Sequence, residues 1–578
     1  MKNVRKWMWM PLAWAAVALL AISGCSVDDG GGGGSPNDGS SLLSGLSVKS
    51  VGGEELLAMS FDPETTMYEI QVEHSIESVA ILAEARDPAV KITYSVNLGA
   101  DNSFQLEAGI NSVAVTVASS GGDAKTYEIR ILRASKVINI AILNSASNIT
   151  YFTASALELS ENPTYFAFES EGQINFEKLP ANMMQLPGTG PGYPPTTAAT
   201  VNDFHADKET AIAFAKNLYE QDAYTYFKFY FNEDYIENAF LFGTANGIPD
   251  RQYTVTYIYH AGWALSRIQT RYKETPAIYA NDYAFAGDLI DAVNDIAGSG
   301  GGVDAVLEHI KESANKNGDY TPYEILTDYT VLPFLARMKN LCWWVDDYDK
   351  VSNAVAHDPA LSELVADLIA SKQIVEKNIP LLLQDAKARG RLDDILWMIK
   401  AKWGDGEEDN LLSLVKNNGK KNLMILGTGG TVEYPGMWSG GSTSHSQIAD
   451  YPGTGRPNLE DYLNAAVERF GGEYNIYYKG HPFWPSTENT GRRDYLEEKG
   501  IVEFPSAIPA EFILYSVENM YVGGFNTSTF NSALPGTTLA LFAIHYSDII
   551  PYDNVSGDRF KGAEYWNWNG EGFNITNE

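Results

Sequence analysis

The sequence predicts an α/β protein that carries an antiparallel β-sandwich near its amino terminus. Three observations point there. From Leu42 to Arg133, apolar residues recur with period two in short runs separated by turn residues, the pattern of half-buried strands. After Lys136 the texture changes to strands interleaved with helical stretches, as in α/β architectures. Between Ile476 and Phe530, short apolar runs end in glycine or a turn and pass at once into polar residues. The ligand-binding carboxyl edge of an open α/β sheet reads this way.

Residues 1–24 hold Lys2, Arg5 and Lys6, an apolar run from Trp7 to Ile22, and small residues ahead of Cys25. A basic head, a short apolar core and a cysteine predict a lipoprotein signal peptide, with Cys25 as the lipidated residue. Ser26 in second position favours an outer-membrane or cell-surface destination in a Gram-negative bacterium. Residues 25–41 form a flexible Gly/Asp-rich tether. Cys25 and Cys342 are the only cysteines, so an acylated Cys25 leaves no disulfide and stability must come from packed cores. The formal net charge is −33, and no basic stripe is present to displace counterions, which excludes nucleic acid as a partner.

Within 42–134, Met67 to Val72, Val79 to Leu82, Val90 to Val96, Val113 to Val117 and Tyr127 to Ile131 read as strands. The pattern of Leu43, Leu46, Val48, Tyr68, Tyr127, Ile129 and Arg133 resembles the bacterial cadherin-like β-sandwich. No acidic cluster has calcium-site spacing, so the domain reads as a spacer, with glycan binding as the alternative.

Val137 to Leu143 predicts a buried strand, residues 180–200 a loop, Glu209 to Tyr219 a helix, and Tyr226 to Phe231 and Tyr253 to Tyr259 two further strands. Residues 282–415 read as mostly helical, with Asp304 to Ser313, Leu361 to Lys377 and Leu392 to Lys402 as helices. Trp343 and Trp344 beside Asp346 and Asp347 either floor a sugar site or pack in the core.

In the last part, Asn422 to Leu426 is a strand followed by a glycine-rich loop, Gly427-Thr428-Gly429-Gly430-Thr431, whose backbone N–H groups can approach a phosphate or carboxylate. Asn458 to Phe470 is an amphipathic helix leading into the strand Tyr474 to Tyr478. Lys479, Gly480 and His481 follow that strand, Glu511 opens the next block, and Thr527 and Ser528 close the third. Cation, acceptor and hydroxyls at strand ends suit a nucleotide. The plainer readings are a solvated lysine, a turn histidine and a helix cap.

The order Tyr-Lys-Gly-His-Pro, Ile-Pro-Ala with a glutamate, then Val-Gly-Gly with two hydroxyl residues resembles the bacterial sialyltransferases of glycosyltransferase family 80. That resemblance implies a two-lobed GT-B fold, with an acceptor-side amino lobe over 136–415 and a CMP-sugar-side carboxyl lobe and tail over 416–578. It implies an inverting, metal-independent transfer of sialic acid from CMP-sialic acid to a galactose-type glycan, with no cofactor. By the same carry-over, His481 is the general acid or electrostatic partner of the leaving phosphate. Thr527 and Ser528 hold the phosphate oxygens, Lys479 the cytidine base and Glu511 the ribose hydroxyls.

One position departs from the family. Where it has Tyr-Asp-Asp-Gly-Ser, this chain has Tyr259-His260-Ala261-Gly262-Trp263, and Ala261 falls on the catalytic base. His260 is chemically able to serve as base, to contact substrate only, or to be structural; Asp234 or Asp250 are other sources of a carboxylate. The family's loop tryptophan is also missing, unless Trp438 replaces it. Two rivals remain: transfer of another CMP-activated acidic sugar of Kdo type, and a non-catalytic surface glycan-binding lipoprotein.

Overall fold

The structure is a computed structural model. It describes residues 41–57, 61–119, 121–143, 162–168, 175, 178–187, 201–232, 247–258, 263–274, 278–316, 331–402, 410–427, 459–480, 490–505, 508–525, 529–530, 533–542 and 560–577.

The sandwich comes first. One sheet pairs β1 (Leu43–Ser50), β3 (Ser78–Ala85) and β5 (Ser103–Gln105); the other orders β2 (Met67–Val72), β7 (Ala124–Arg133), β6 (Gly109–Ala118) and β4 (Lys91–Tyr94). Alternation along β6 buries Val113, Val115 and Val117 against Val48, Ile81 and Ile129. The Tyr127 hydroxyl accepts from the Leu43 N–H at 3.2 Å and donates to the Pro63 carbonyl at 3.0 Å, tying the two sheets at one corner. All pairs are antiparallel except β2 beside β7, which is parallel. A parallel neighbour needs a long crossover, and strands β3 to β6 supply it.

The amino lobe is a wholly parallel sheet of seven strands. These are β8 (Lys136–Leu143), β9 (Thr164–Phe168), β10 (Met183–Gln185), β11 (Thr225–Asn232), β12 (Tyr253–Ile258), β13 (Leu341–Val345) and β14 (Ile374–Glu376). Its central strands are buried along their length, which is why they read as unbroken apolar runs. Helices Val201–Gln221, Trp263–Glu274, Ile278–Gly298 and Pro359–Ala370 are among those that connect them.

Three sequence expectations need correction here. The loop drawn over 180–200 holds the strand Met183–Gln185, paired with Thr164–Phe168. The helix drawn from Leu361 to Lys377 ends at Ala370, Lys372 turns at φ +60, and Ile374–Glu376 is a strand. The helix drawn to Lys402 stops at Met398, ahead of Lys400 at φ +56. Short apolar runs such as Ile374-Val375 and Leu341 to Val345 carry no period long enough to separate strand from helix, so β13 and β14 were hidden in a stretch that reads as helical.

The carboxyl lobe repeats the plan with β15 (Lys421–Leu426), β16 (Tyr474–Lys479), β17 (Val502–Glu503), β18 (Met520–Phe525), β19 (Thr538–Phe542), β20 (Glu564–Trp568) and β21 (Phe573–Thr576). Numbered by their own chain order, the strands of both lobes read 3-2-1-4-5-6-7. In the carboxyl lobe only β21 runs antiparallel, against β20. Two parallel α/β lobes behind a sandwich are the architecture the GT-B expectation required.

Each lobe therefore has a switch point beside its first strand, where chain connections leave to opposite sides and a crevice opens at the carboxyl edge. In the carboxyl lobe that point is between β15 and β18. Gly524 permits the approach: its φ is +123, and a Cβ there would stand 2.4 Å from the Leu426 carbonyl oxygen. Only glycine fits.

The sandwich joins the amino lobe through two residues, Ala134 and Ser135. The Ser135 N–H donates to the Tyr224 carbonyl at 3.0 Å and its hydroxyl to Asp222 at 2.7 Å. Ion pairs Glu73–Lys228 at 2.6 Å, Glu69–Arg251 at 3.2 Å and Glu54–Lys372 at 3.1 Å span the same junction. The two lobes share one apolar cluster, in which Leu383 and Phe512 both take part.

Candidate functional site

The described part of the site is built at the carboxyl ends of β15, β16 and β18. Leu426 pairs with Lys479, and the Gly427 N–H donates to the Lys479 carbonyl at 2.9 Å. The strand ends expected to carry ligand groups are thus fastened to each other. Lys479 is 2% exposed, and its Nζ donates to the Gly480 carbonyl at 2.7 Å. A solvated lysine is excluded; this ammonium is held at the strand end, with three N–H donors to distribute.

Glu511 sits in the first turn of the helix Ala510–Ser516 and is 3% exposed. Its Oε1 accepts from the Thr529 hydroxyl at 3.0 Å. Thr529 follows β18 and is itself buried, so this bond couples the helix to the strand end at the switch point. Thr529 is a site residue that sequence reading missed; its neighbours Thr527 and Ser528 drew attention because they match a motif, whereas Thr529 acts through burial. A buried cation and a buried carboxylate at one sheet edge can recognise a polar heterocycle and vicinal hydroxyls.

In the amino lobe, β13 ends at the lobe junction. Asp347 caps the helix Tyr348–Val355, accepting from the Asp349 N–H at 2.7 Å. Asp346 pairs with Lys350, while its Oδ1 is buried without a hydrogen-bond partner. A pocket of about 270 Å³ is lined by Asp346 and Lys350 from one lobe and Tyr515 and Leu534 from the other.

This geometry decides between the two readings of the tryptophan pair and rules out one candidate base. Trp343 and Trp344 are buried, the latter 5.0 Å from the Tyr230 ring with Lys377 Nζ 4.8 Å above it; they are core residues and floor no sugar site. Asp250 stands before β12, at the amino edge, accepting from the Tyr253 hydroxyl at 2.7 Å. Burial, then the nearby Asp250 charge, push that phenol far above its usual range. A six-residue strand separates Asp250 from the cleft edge, about 20 Å at 3.3 Å per residue, so it is no base for chemistry there.

Cys25, Thr428, Asp234, His260, Ala261, Trp438, His481, Thr527 and Ser528 lie outside the described residues. Of the expected site, the structure brings together Gly427, Lys479 and Gly480, and ties Glu511 to the end of β18. Among the described residues no group of His, Cys, Asp or Glu is arranged to hold a metal ion, and no helix is long and apolar enough to cross a membrane.

Comparison with known proteins gives a family match for one region. Residues 43–134 match the family described as cadherin-like beta sandwich domain. No curated protein matches the sequence. Among solved structures, the chain is similar to the 2,6-sialyltransferase of Photobacterium sp. JT-ISH-224, crystallised with CMP and lactose. That pair has 12% identity and a TM-score of 0.46, with 86% of this chain and 95% of that one covered. It is also similar to the sialyltransferase of Photobacterium damsela, with 13% identity, a TM-score of 0.46, and 87% and 100% of the two chains covered. A UDP-GlcNAc 2-epimerase of Methanocaldococcus jannaschii matches at 11% identity and a TM-score of 0.31, over 76% and 95% of the chains.

Proposed function

We propose that the chain is an inverting glycosyltransferase that moves sialic acid from CMP-sialic acid to a galactose-type glycan. The observation that carries this reading is the burial of Lys479 at the end of β16 and of Glu511 in the helix turn that Thr529 ties to β18, inside sequence blocks that resemble the family 80 enzymes. Lys479 takes the cytidine base, Glu511 the ribose hydroxyls, and Gly427 and Gly480 let backbone approach the ligand.

In the reaction, the acceptor hydroxyl gives its proton to His260 and its oxygen attacks the anomeric carbon. The bond from that carbon to the phosphate oxygen breaks, and CMP leaves with the electron pair. His481, Thr527, Ser528 and the Gly427-Thr428 backbone meet the charge that grows on the phosphate. Because a phosphate monoester leaves, no pyrophosphate has to be gripped and the step runs without a metal. Cys25 carries the lipid that anchors the enzyme at the outer membrane or cell surface.

Incubation of the full chain with CMP-sialic acid and lactose, following CMP release and sialyl-lactose, tests the proposal beside His481→Ala and His260→Ala. Product from the parent and loss in both variants is expected. CMP binding without product points to another CMP-activated sugar, such as a Kdo-like acid. Neither binding nor turnover sinks the enzyme reading. A non-catalytic surface glycan binder would then stand, favoured by Ala261 at the position where the family keeps its base.

A further inference from the structure

A cavity of about 770 Å³ lies away from the cleft, between the sandwich and the amino edge of the amino-lobe sheet. Small-molecule sites span about 300–1,000 Å³, so the size is that of a ligand site. Gln71 and Leu132 face it from the sandwich; Thr254, Ile290 and Asn340 face it from the lobe. The cleft is at the other end of the same strands, about 20 Å away at 3.3 Å per residue.

Its charge runs against that of the chain. Arg130, Arg251, Arg337 and Lys339 line it with only Glu69 and Asp250 in opposition, in a protein of net charge −33. Both acids are engaged, Glu69 by Arg251 at 3.2 Å and Asp250 by the Tyr253 hydroxyl at 2.7 Å. Arg337 is seated differently. Its Nε donates to the Tyr283 carbonyl at 3.1 Å, and its guanidinium stacks on the Tyr283 ring at 3.8 Å. Gly287 clears the seat, since a Cβ there would stand 2.6 Å from Arg337 Cζ. The fork is fixed in orientation, and its two terminal nitrogens donate no hydrogen bond among the described residues.

One further group waits for a partner. Gln71 Oε1 on the sandwich is shielded from solvent and makes no hydrogen bond, whereas the Asn340 side chain on the lobe is engaged by the Tyr253 hydroxyl. An unmet acceptor facing a cavity matches a hydroxyl group, which can donate to it. Exposed Ile110 and half-buried Met338 offer apolar surface to a sugar ring.

We propose that this junction binds an acidic oligosaccharide, with its carboxylate on the Arg337 fork and a hydroxyl on Gln71 Oε1. A guanidinium fork reads a carboxylate bidentately, and the other guanidiniums are already paired, which disfavours a dense phosphate dianion. The site is separate from the cleft and does not depend on the transferase reading.

Calorimetric titration of the full chain with sialyl-lactose, and with lactose as the uncharged control, tests it without turnover. Sialyl-lactose is expected to bind roughly tenfold or more tightly than lactose, and Arg337→Gln to remove that advantage. Ile110→Trp, at a position 60% exposed at the mouth, blocks entry without touching a core and is expected to do the same. Lys479→Ala, in the cleft, is expected to leave this binding unchanged. Parent-like affinity in both junction variants overturns the proposal, as does loss confined to Lys479→Ala or equal binding of the two sugars.

Discussion

Replacing Gly524 with alanine probes the contact on which the carboxyl-lobe site depends. The new methyl would sit 2.4 Å from the Leu426 carbonyl oxygen and 2.6 Å from the Leu426 nitrogen, on backbone at φ +123. Carbon needs about 3.5 Å from its neighbours, so β18 must move roughly 1 Å from β15 or twist. The backbone conformation costs about 1–3 kcal/mol for a side-chain-bearing residue, and forced packing about 1–3 kcal/mol more. Their sum, about 2–6 kcal/mol, is a large share of the roughly 5–15 kcal/mol that holds a domain folded. Leu426 precedes Gly427, so the same displacement misplaces the ligand edge. Urea unfolding followed by tryptophan fluorescence, with CMP binding by calorimetry, reads both effects. Gly536→Ala is the control: its φ is +76 but open space surrounds it, and a loss of only about 1 kcal/mol is expected. Coincident unfolding curves for the two variants, with CMP affinity intact, would refute the placement of β18 against β15.

Other outcomes follow from single contacts. Asp282 is fully buried and takes two nitrogens of Arg271 at 2.8 Å each; Asp282→Ala is expected to cost about 3–5 kcal/mol in chemical denaturation, and a Met or Leu at both positions to recover most of it. Thr529→Val removes the hydroxyl that Glu511 accepts at 3.0 Å and is expected to raise the donor KM roughly tenfold with little change in the acceptor KM. Burial, partly offset by Lys228, pushes the Cys342 thiol up to about 11. Because its folded pKa is raised, this contribution to stability is complete below the unfolded value near about 8.5 and fades as pH rises toward about 11. Iodoacetamide labelling of the Cys342 peptide, mapped by mass spectrometry, is therefore expected to stay slow at pH 8 in the folded protein and turn fast in urea.

Much of the architecture was legible because burial writes itself into composition. Strands buried on both faces, such as Lys136–Leu143 and Tyr474–Lys479, read as apolar runs, and the sandwich strands alternate because one face meets water. Leu341–Val345 and Ile374–Glu376 were obscured because a run of three to five apolar residues looks alike in helix and strand. Of the site, Lys479 and Glu511 were legible by motif, whereas their burial and the bond from Thr529 needed coordinates. Asp250 looked available as a base because sequence gives no sense of which end of a strand faces the cleft. The junction around Arg337 left no trace in the sequence, since its parts come from segments far apart in the chain and meet only through sheet order.

The two-residue joint at Ala134 and Ser135 makes the sandwich a handle. The Ser135 bonds and three ion pairs brace it against the lobe, so the bearing of the cleft follows whatever grips the handle. The grip is at the amino edge of the amino-lobe sheet and the cleft at the carboxyl edge. A load or tether on the sandwich therefore pulls at the edge opposite the cleft and leaves the cleft mouth facing away from it.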